Sequence, residues 1–156
     1  MALYSFLFSP EFSVFMTGVI GNTASRGEVY AVVDFYRGVL NRLPDTAGFN
    51  FWLGRFRSAQ CAGTLVVDSV YQAANAISSQ FLASSEYLAR ARTNTEYVGD
   101  LYYAFLRRGG DLSGVNFWIN RLNSGTVTRE ALRQEFLLSI EFASRIDAII
   151  TQGCIP

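Results

Sequence analysis

The chain has 156 residues, with thirteen arginines, thirteen acidic residues and neither histidine nor lysine. A formal charge of zero argues against nucleic-acid binding and against a polybasic membrane-surface role, because both need an excess of positive charge. The lack of imidazole and lysine amine groups excludes the commonest catalytic bases, Schiff-base lysines and imidazole metal ligands. We therefore expect a protein without enzymatic activity, cofactor or metal ion.

The N-terminal residues are apolar but do not form a typical signal peptide. They carry no positive charge, and Pro10 and Glu11 interrupt the apolar stretch. No stretch of the chain is long and apolar enough to predict a membrane span. If the protein is exported, we expect a route that does not use a cleavable N-terminal signal.

The sequence contains an internal repeat. A segment at 34–56 reads DFYRGVLNRLPDTAGFNFWLGRF, and a segment at 100–122 reads DLYYAFLRRGGDLSGVNFWINRL. The heptapeptide FLASSEY at 81–87 recurs as FLLSIEF at 136–142 and a third time as FLFSPEF at 6–12. The first copy also has an insertion near 61–71. Self-similarity of this kind indicates a repeat architecture.

The predicted elements follow this repeat along the chain. Residues 1–22 predict an orphan helix that resembles the last helix of a repeat, residues 23–92 the first repeat, and residues 93–156 the second repeat and a C-terminal tail. Apolar residues at helical spacing predict three helices in each repeat, and no stretch alternates long enough for a strand. We therefore predict an all-α protein, in which tandem three-helix repeats pack into one compact domain.

Several residues are predicted to have structural roles. Capping boxes are predicted where Ser25 precedes Glu28 and where Thr93 precedes Glu96. The repeated aspartates are placed as N-caps, each contributing about 1 kcal/mol, in preference to calcium ligands. The repeated glycines would allow close packing, and the tryptophans are predicted core anchors worth about 3–5 kcal/mol each. These residues are Asp45, Gly48 and Trp52 in the first repeat and Asp111, Gly114 and Trp118 in the second.

The two cysteines, Cys61 and Cys154, are too far apart in the sequence for a C-x-x-C metal or redox motif. Three alternatives remain at this point: two unrelated small apolar residues, an intramolecular disulfide that ties down the C-terminal tail, or an intermolecular disulfide. The choice among them depends on the compartment.

The repeated pattern resembles the bacterial domain-of-unknown-function 4214 family. The resemblance is carried by Tyr36, Arg37, Leu40, Arg42, Pro44, Asp45, Gly48, Phe51 and Trp52, and then by Phe81, Leu82, Ser84, Glu86 and Tyr87. It implies an all-helical domain of secreted and cell-surface bacterial proteins, with a fainter likeness to phycobilisome linker domains, which are scaffolds. No activity comes with the family, so the resemblance implies no functional residue.

We predict a structural protein of the bacterial exterior that assembles head-to-tail with copies of itself. The leading segment is apolar although no first part of a repeat precedes it, and the C-terminal helix also ends in apolar residues. Complementary surfaces at the two ends of a molecule give rings or filaments. The predicted interface residues are Phe6, Phe8, Phe12, Phe15, Ile149 and Ile150.

The main alternative is a glycan- or protein-binding module from a longer surface protein. Asn50 and Asn116 each precede a Phe-Trp pair, and an amide beside aromatic rings is typical of a sugar-binding face. The competing interpretation is that each amide binds a neighbouring helix end. A third possibility is an intracellular linker that organises other proteins.

Overall fold

The computed structural model describes residues 26–155, and every regular element in that range is helical. The absence of any strand from this range confirms the all-α prediction. A π-helical segment, Tyr36–Leu40, extends the first helix, and a short 3-10 turn, Gly63–Leu65, precedes the third. The helices are α1 (Gly27–Phe35), α2 (Thr46–Gln60), α3 (Val66–Leu82), α4 (Ser85–Ala89), α5 (Asn94–Leu106), α6 (Leu112–Asn123), α7 (Arg129–Leu137) and α8 (Ile140–Gln152).

Polar side chains begin most of these helices. The predicted capping box of Thr93 and Glu96 is confirmed at the start of α5, where each side chain accepts a hydrogen bond from the other residue's backbone N–H. Ser25 lies outside the described residues, and the carboxylate of Glu28 is buried and accepts hydrogen bonds from Arg26 and Gln60. Six described helices have an N-cap side chain that accepts a backbone hydrogen bond, namely Asp45, Ser84, Thr93, Asp111, Thr128 and Ser139.

The third predicted helix is divided in both halves of the molecule. Ser84 begins α4 by accepting a hydrogen bond of 3.1 Å from the N–H of Tyr87, and Ser139 begins α8 by accepting one of 3.1 Å from the N–H of Phe142. A serine hydroxyl competes with the helical backbone for hydrogen bonds and favours a helix start. The serine of the repeated heptapeptide is thus an N-cap, and residues 26–155 contain four helices in each half instead of the three predicted.

The two halves share one hydrophobic core, as the prediction of one compact domain requires. Helix α8 packs against α1 and α3. The ring of Phe35 in α1 meets the ring of Phe105 in α5 edge-on at 5.0 Å, and its centroid is 6.5 Å from that of Phe142 in α8. The last helix of the second half therefore completes the core of the first.

A disulfide bond joins Cys61 to Cys154. Cys61 is the C-cap of α2, and Cys154 follows α8. Beside it, Nη2 of Arg26 donates a hydrogen bond of 2.5 Å to the carbonyl oxygen of Gly153. Of the three alternatives left open by the sequence, the structure has the intramolecular bond. The disulfide ties the last described residues to the end of α2, and the hydrogen bond from Arg26 ties them to the start of α1.

Candidate interaction surface

The aspartate, glycine and tyrosine of each half form the same local cluster. Asp45 accepts a hydrogen bond of 2.7 Å from the N–H of Gly48, and this bond lowers the pKa of its carboxyl. A Cβ at Gly48 would lie 2.2 Å from the hydroxyl oxygen of Tyr36. The glycine therefore makes room for a buried tyrosine, whereas the sequence suggested close packing of two helices. Asp111, Gly114 and Tyr102 repeat this arrangement.

Equivalent ion pairs lie beside these clusters. Nε of Arg42 is 2.6 Å from Oε1 of Glu86, and Nε of Arg108 is 2.7 Å from Oε1 of Glu141. Each guanidinium also lies over the ring of the clustered tyrosine. Hydrogen bonds from these arginines lower the pKa of both glutamates. Both glutamates tie the heptapeptide to the loop that follows the helix of the clustered tyrosine, so their repetition has a structural cause.

The two tryptophans, both predicted as core anchors, differ in burial, although Trp118 also packs against the core. Trp52 is 6% exposed, and its ring meets that of Phe81 edge-on at 5.7 Å. Trp118 is only half-buried. Within the described residues its one ring contact is with the adjacent Phe117, and the guanidinium of Arg121 lies 5.8 Å from its centroid.

The different burial of Trp52 and Trp118 follows from the different lengths of the helices that pack beside them. Helix α3 has 17 residues and packs against α2, whereas its counterpart α7 has only 9 residues. The insertion near 61–71 provides the first turn of α3. Phe49, Trp52, Leu53 and Phe56 of α2 are consequently buried. Of their equivalents in α6, only Leu122 is buried, and the half-buried residues are Val115, Trp118 and Ile119.

Because α7 is shorter than α3, an open groove remains beside α6 in the described chain. It has a volume of about 360 Å³ and lies between the C-terminal end of α5, Trp118 of α6 and the junction of α7 and α8. Leu138 and Ile140 flank Ser139 on its rim and are 70% and 88% exposed. We call this the α6 groove. Its apolar and aromatic lining residues are Tyr102, Leu106, Trp118, Phe136, Leu138 and Ile140, and the polar residues Arg108, Glu135 and Ser139 also line it.

The predicted ligand-binding asparagines are placed on the surface. Asn50 and Asn116 are both exposed, whereas Trp52 is buried, so the first predicted pair does not form a sugar-stacking site. Phe51 is 57% exposed and lines a different groove of about 440 Å³ together with Arg55, Ser58 and Gln72. The lining of that groove does not include Asn50.

The predicted interface residues divide into three groups. Phe6, Phe8, Phe12 and Phe15 lie outside the described residues. Ile149 is 1% exposed, and a Cβ at Gly27 would lie 3.2 Å from its Cγ1, so its assignment to an assembly interface was wrong. Ile150 is half-buried and packs against the core. The apolar stripe of the C-terminal helix is therefore used within the chain, because α8 fills the space between α1 and α3.

Buried ionisable groups, which the sequence analysis did not identify as a cluster, form ion pairs across the core. Oδ2 of Asp34 accepts a hydrogen bond of 2.5 Å from Nη2 of Arg145 and lies 3.1 Å from Nε of Arg107. Burial raises the pKa of Asp34 to about 6, although both arginines act to lower it. Arg145 also donates to the carbonyl oxygen of Phe105. These ion pairs and hydrogen bonds link α1, α5 and α8 within the core.

Two further buried charged side chains, Asp100 and Arg133, are also paired within the fold. Asp100 accepts from Arg92 at 2.8 Å and from the hydroxyl of Tyr87 at 2.9 Å. Arg133 is buried, pairs with Glu130 and donates to the side chain of Ser78 at 2.8 Å. In the sequence, each buried pair is marked only by a charged residue among apolar residues at helical spacing. The sequence does not show which residue is its partner.

The described part of the chain has neither a membrane-spanning helix nor a cluster of metal ligands. None of its helices is long and apolar enough to cross a membrane. No group of three or more cysteine, aspartate or glutamate side chains in residues 26–155 is placed to hold a metal ion.

Comparisons with known proteins identify one family. Residues 78–146 match the model of the family described as Domain of unknown function (DUF4214). No curated protein and no solved structure matches the chain. The matched range runs from the end of α3 through the first turns of α8 and includes the α6 groove. Residues 78–146 are therefore similar to the DUF4214 family, in agreement with the resemblance that the repeated pattern indicated.

Proposed function

We propose that this is a non-enzymatic structural protein that assembles with copies of itself. In this proposal the N-terminal segment, residues 1–20, of one copy packs on the C-terminal half of the next. The observation that carries it is the half-buried apolar face of α6 within the described chain, extended by the exposed side chains of Leu138 and Ile140. Exposed apolar patches rimmed by polar residues are typical of protein interaction sites.

The arrangement of the two surfaces favours head-to-tail assembly. The N-terminal segment is apolar in sequence, and the α6 face lies in the other half of the chain. A contact between two different surfaces repeats from copy to copy and gives a ring or a filament. The C-terminal face of α8 has no part in the contact, because Ile149 belongs to the core.

The disulfide supports a location outside the cytoplasm. The bond between Cys61 and Cys154 is solvent-exposed at both cysteines. Exposed disulfides persist in oxidising compartments and are reduced in the cytosol of most organisms. We therefore propose that the assembly lies on the cell surface or in the extracellular space.

The chemistry of the buried charges supports a role without catalysis. Asp34, Asp100 and Arg133 are each engaged by ion pairs or hydrogen bonds within the fold. The sequence has no histidine or lysine that would act with them as a base.

Light scattering during size-exclusion chromatography tests the proposal. The full chain is expected to show a mass that rises with concentration beyond that of one copy, and a variant without residues 2–20 is expected to remain a monomer. Near-ultraviolet circular dichroism of both proteins reports whether the deletion preserves the folded core. A full chain that stays monomeric at every concentration would contradict the proposal.

A second candidate is glycan binding, favoured by the groove that Phe51 lines with Arg55, Ser58 and Gln72. An exposed aromatic ring beside amide and guanidinium groups suits a sugar ring. A glycan array probed with the full chain and with Phe51→Ala distinguishes this candidate from assembly. Binding that is lost on substitution would support it.

A further inference from the structure

We infer that the cavity beside Arg107 and Arg145 binds a small molecule that carries a carboxylate group. The cavity has a volume of about 380 Å³ and lies between the start of α1, the C-terminal end of α5 and α8. Both arginines line it, together with Tyr30 and Ser144. The site needs no second copy, because the residues that form it belong to one chain.

The two arginines share a single oxygen atom of Asp34. Nη2 of Arg145 donates a hydrogen bond of 2.5 Å to Oδ2, and Nε of Arg107 lies 3.1 Å from the same oxygen. The other oxygen, Oδ1, is buried and has no hydrogen-bond partner among the described residues. One carboxylate therefore faces two guanidinium groups and pairs with both through only one of its oxygens.

The equivalent aspartate of the second half is paired differently. Asp100 accepts hydrogen bonds from Nε and Nη2 of Arg92, at 2.9 Å and 2.8 Å, one at each of its oxygens. The hydroxyl of Tyr87 donates to the same carboxylate. One arginine thus balances one aspartate there. Of the two equivalent aspartates, only Asp34 faces two arginines.

The cavity therefore has an excess of positive charge. Glu141 also lines it, but its carboxylate accepts hydrogen bonds of 2.7 Å and 2.8 Å from Arg108. Because Asp34 is shared between Arg107 and Arg145, one positive charge is not compensated by the described residues. Burial lowers the pKa of Arg145, and the charge of Arg107 acts in the same direction. A bound anion would offset this repulsion in a partly buried site, where charges interact more strongly than in water.

Arg107 has the free hydrogen-bond donors of the site. Within the described residues, neither its Nη1 nor its Nη2 donates a hydrogen bond. Its guanidinium lies 4.9 Å from the centroid of the Tyr30 ring, which supports one face of the group. The N–H groups lie in the guanidinium plane, so stacking leaves them available to an acceptor. Two parallel N–H groups match the two oxygens of a carboxylate.

The charge and the size of the site favour a small carboxylate over a phosphate. One uncompensated positive charge matches a singly charged group, whereas a phosphate group carries a charge of about −1.5 to −2 at neutral pH. The cavity volume of about 380 Å³ is near the lower end of the range for small-molecule sites, about 300–1,000 Å³. Arg145, which is fixed by donating to the carbonyl oxygen of Phe105 at 2.9 Å, supplies the second charge of the site.

Two variants of the full chain test this inference. Arg107→Asn removes the free donors and one positive charge. Asparagine is the residue at the equivalent position of the first half, Asn41, where the backbone is also left-handed, with φ of 53° against 57° at Arg107. Asparagine tolerates this conformation, so the variant is expected to fold. The control is Arg55→Asn, which removes the same charge from a different groove, where Arg55 also lies over an aromatic ring.

Replacing chloride by acetate at constant ionic strength, at a protein concentration where the chain is monomeric, provides the measurement. Two-dimensional ¹H–¹⁵N NMR follows the Nε–H group of Arg107 and the backbone amide of Ser144. Both signals are expected to shift and to saturate in the wild type and in Arg55→Asn. In Arg107→Asn, the Ser144 signal is expected to need about tenfold more acetate for the same shift.

Three outcomes would overturn the inference. Wild-type signals that do not shift, or that shift without saturation, would show no site. Saturation of Arg107→Asn at the wild-type acetate concentration would show that Arg107 does not hold the carboxylate. An equal loss in Arg55→Asn would show that net charge attracts acetate. Near-ultraviolet circular dichroism reports whether Arg107→Asn keeps the fold, and the Nε–H signal of the wild type tests the site without that variant.

Discussion

Gly38 lies directly against the backbone of Ala104. A Cβ at Gly38 would be 2.5 Å from the backbone nitrogen of Ala104 and 2.7 Å from its Cα. The contact joins the π-helical segment Tyr36–Leu40 of the first half to α5 of the second. Because the opposing atoms are main-chain atoms, neither side can give way without moving a helix.

The substitution Gly38→Ala is expected to lower the free energy of unfolding by about 1–3 kcal/mol, the usual range for an overpacked core. Gly54 is the matched control, since it lies in the exposed face of α2 with no atom within 4 Å of a Cβ. Gly54→Ala is expected to raise stability by about 0.4–1 kcal/mol. Urea unfolding of both variants measures these effects, and a neutral Gly38→Ala would contradict the close approach.

The two tryptophans are expected to contribute unequally to stability. Trp52→Ala removes a buried ring from the core and should cost about 3–5 kcal/mol. Trp118→Ala removes a half-buried ring and should cost about 1–2 kcal/mol in the monomer. Equal losses in urea unfolding, measured at a concentration where each variant is monomeric, would show that α6 is covered in solution.

The disulfide is expected to be a major stabilising element. Cys61 and Cys154 are separated by 93 positions, so the bond restricts most of the unfolded chain. The chain-entropy treatment gives about 4–5 kcal/mol for a loop of this length. The double variant Cys61→Ser and Cys154→Ser should lose this amount in urea unfolding. Wild-type protein unfolded with dithiothreitol should match the double variant, and a loss below about 1 kcal/mol would contradict the expectation.

Asp34 is expected to make the free energy of unfolding fall as pH rises, which is the opposite of the usual effect of a paired carboxylate. Its pKa is about 6 in the folded chain against a reference value of 3.8, because burial outweighs the attraction of Arg145 and Arg107. The folded state therefore binds the proton more tightly than the unfolded state. The stability contributed by protonated Asp34 is present below the reference pKa and is lost as pH rises through about 6.

The comparison with Asp34→Asn isolates this effect, since the other carboxyl groups are common to both proteins. The free energy of unfolding of the wild type, minus that of Asp34→Asn, should decrease between about pH 4 and pH 7. Urea unfolding across this pH range gives the difference directly. An advantage that grows with pH would mean that the two arginines dominate and that the pKa of Asp34 is lowered.

Local sequence signals predicted much of the fold. Helical spacing, the N-cap aspartates Asp45 and Asp111 and the capping box at Thr93 each depend on residues a few positions apart. The divided third helix was missed because the hydrophobic pattern continues through Ser84 and Ser139. Only the hydroxyl of each serine, which can replace a helical hydrogen bond, marks the break.

The surface could not be predicted in the same way. Trp52 and Trp118 stand in nearly identical segments, and their different burial depends on the lengths of α3 and α7, which belong to other parts of the chain. Ile149 and the exposed Ile140 belong to one helix and differ only in which neighbour each face meets. The aromatic and aliphatic residues of an interface and of a core are the same residue types, so only packing separates them.

The contact between Gly38 and Ala104 has a mechanical consequence in the proposed assembly. A pull on the N-terminal segment would reach the chain at Arg26 and pass along α1 into the π-helical segment. From there it would cross to α5 at Gly38 and continue into α6, where the next copy is held. Arg26 also binds Gly153, next to Cys154, so part of the load would pass directly to the tail that the disulfide ties to the end of α2. The rest would cross between the halves over the buried face that α1 and the π-helical segment share with α5, where Gly38 meets Ala104 and Asp34 pairs with Arg107.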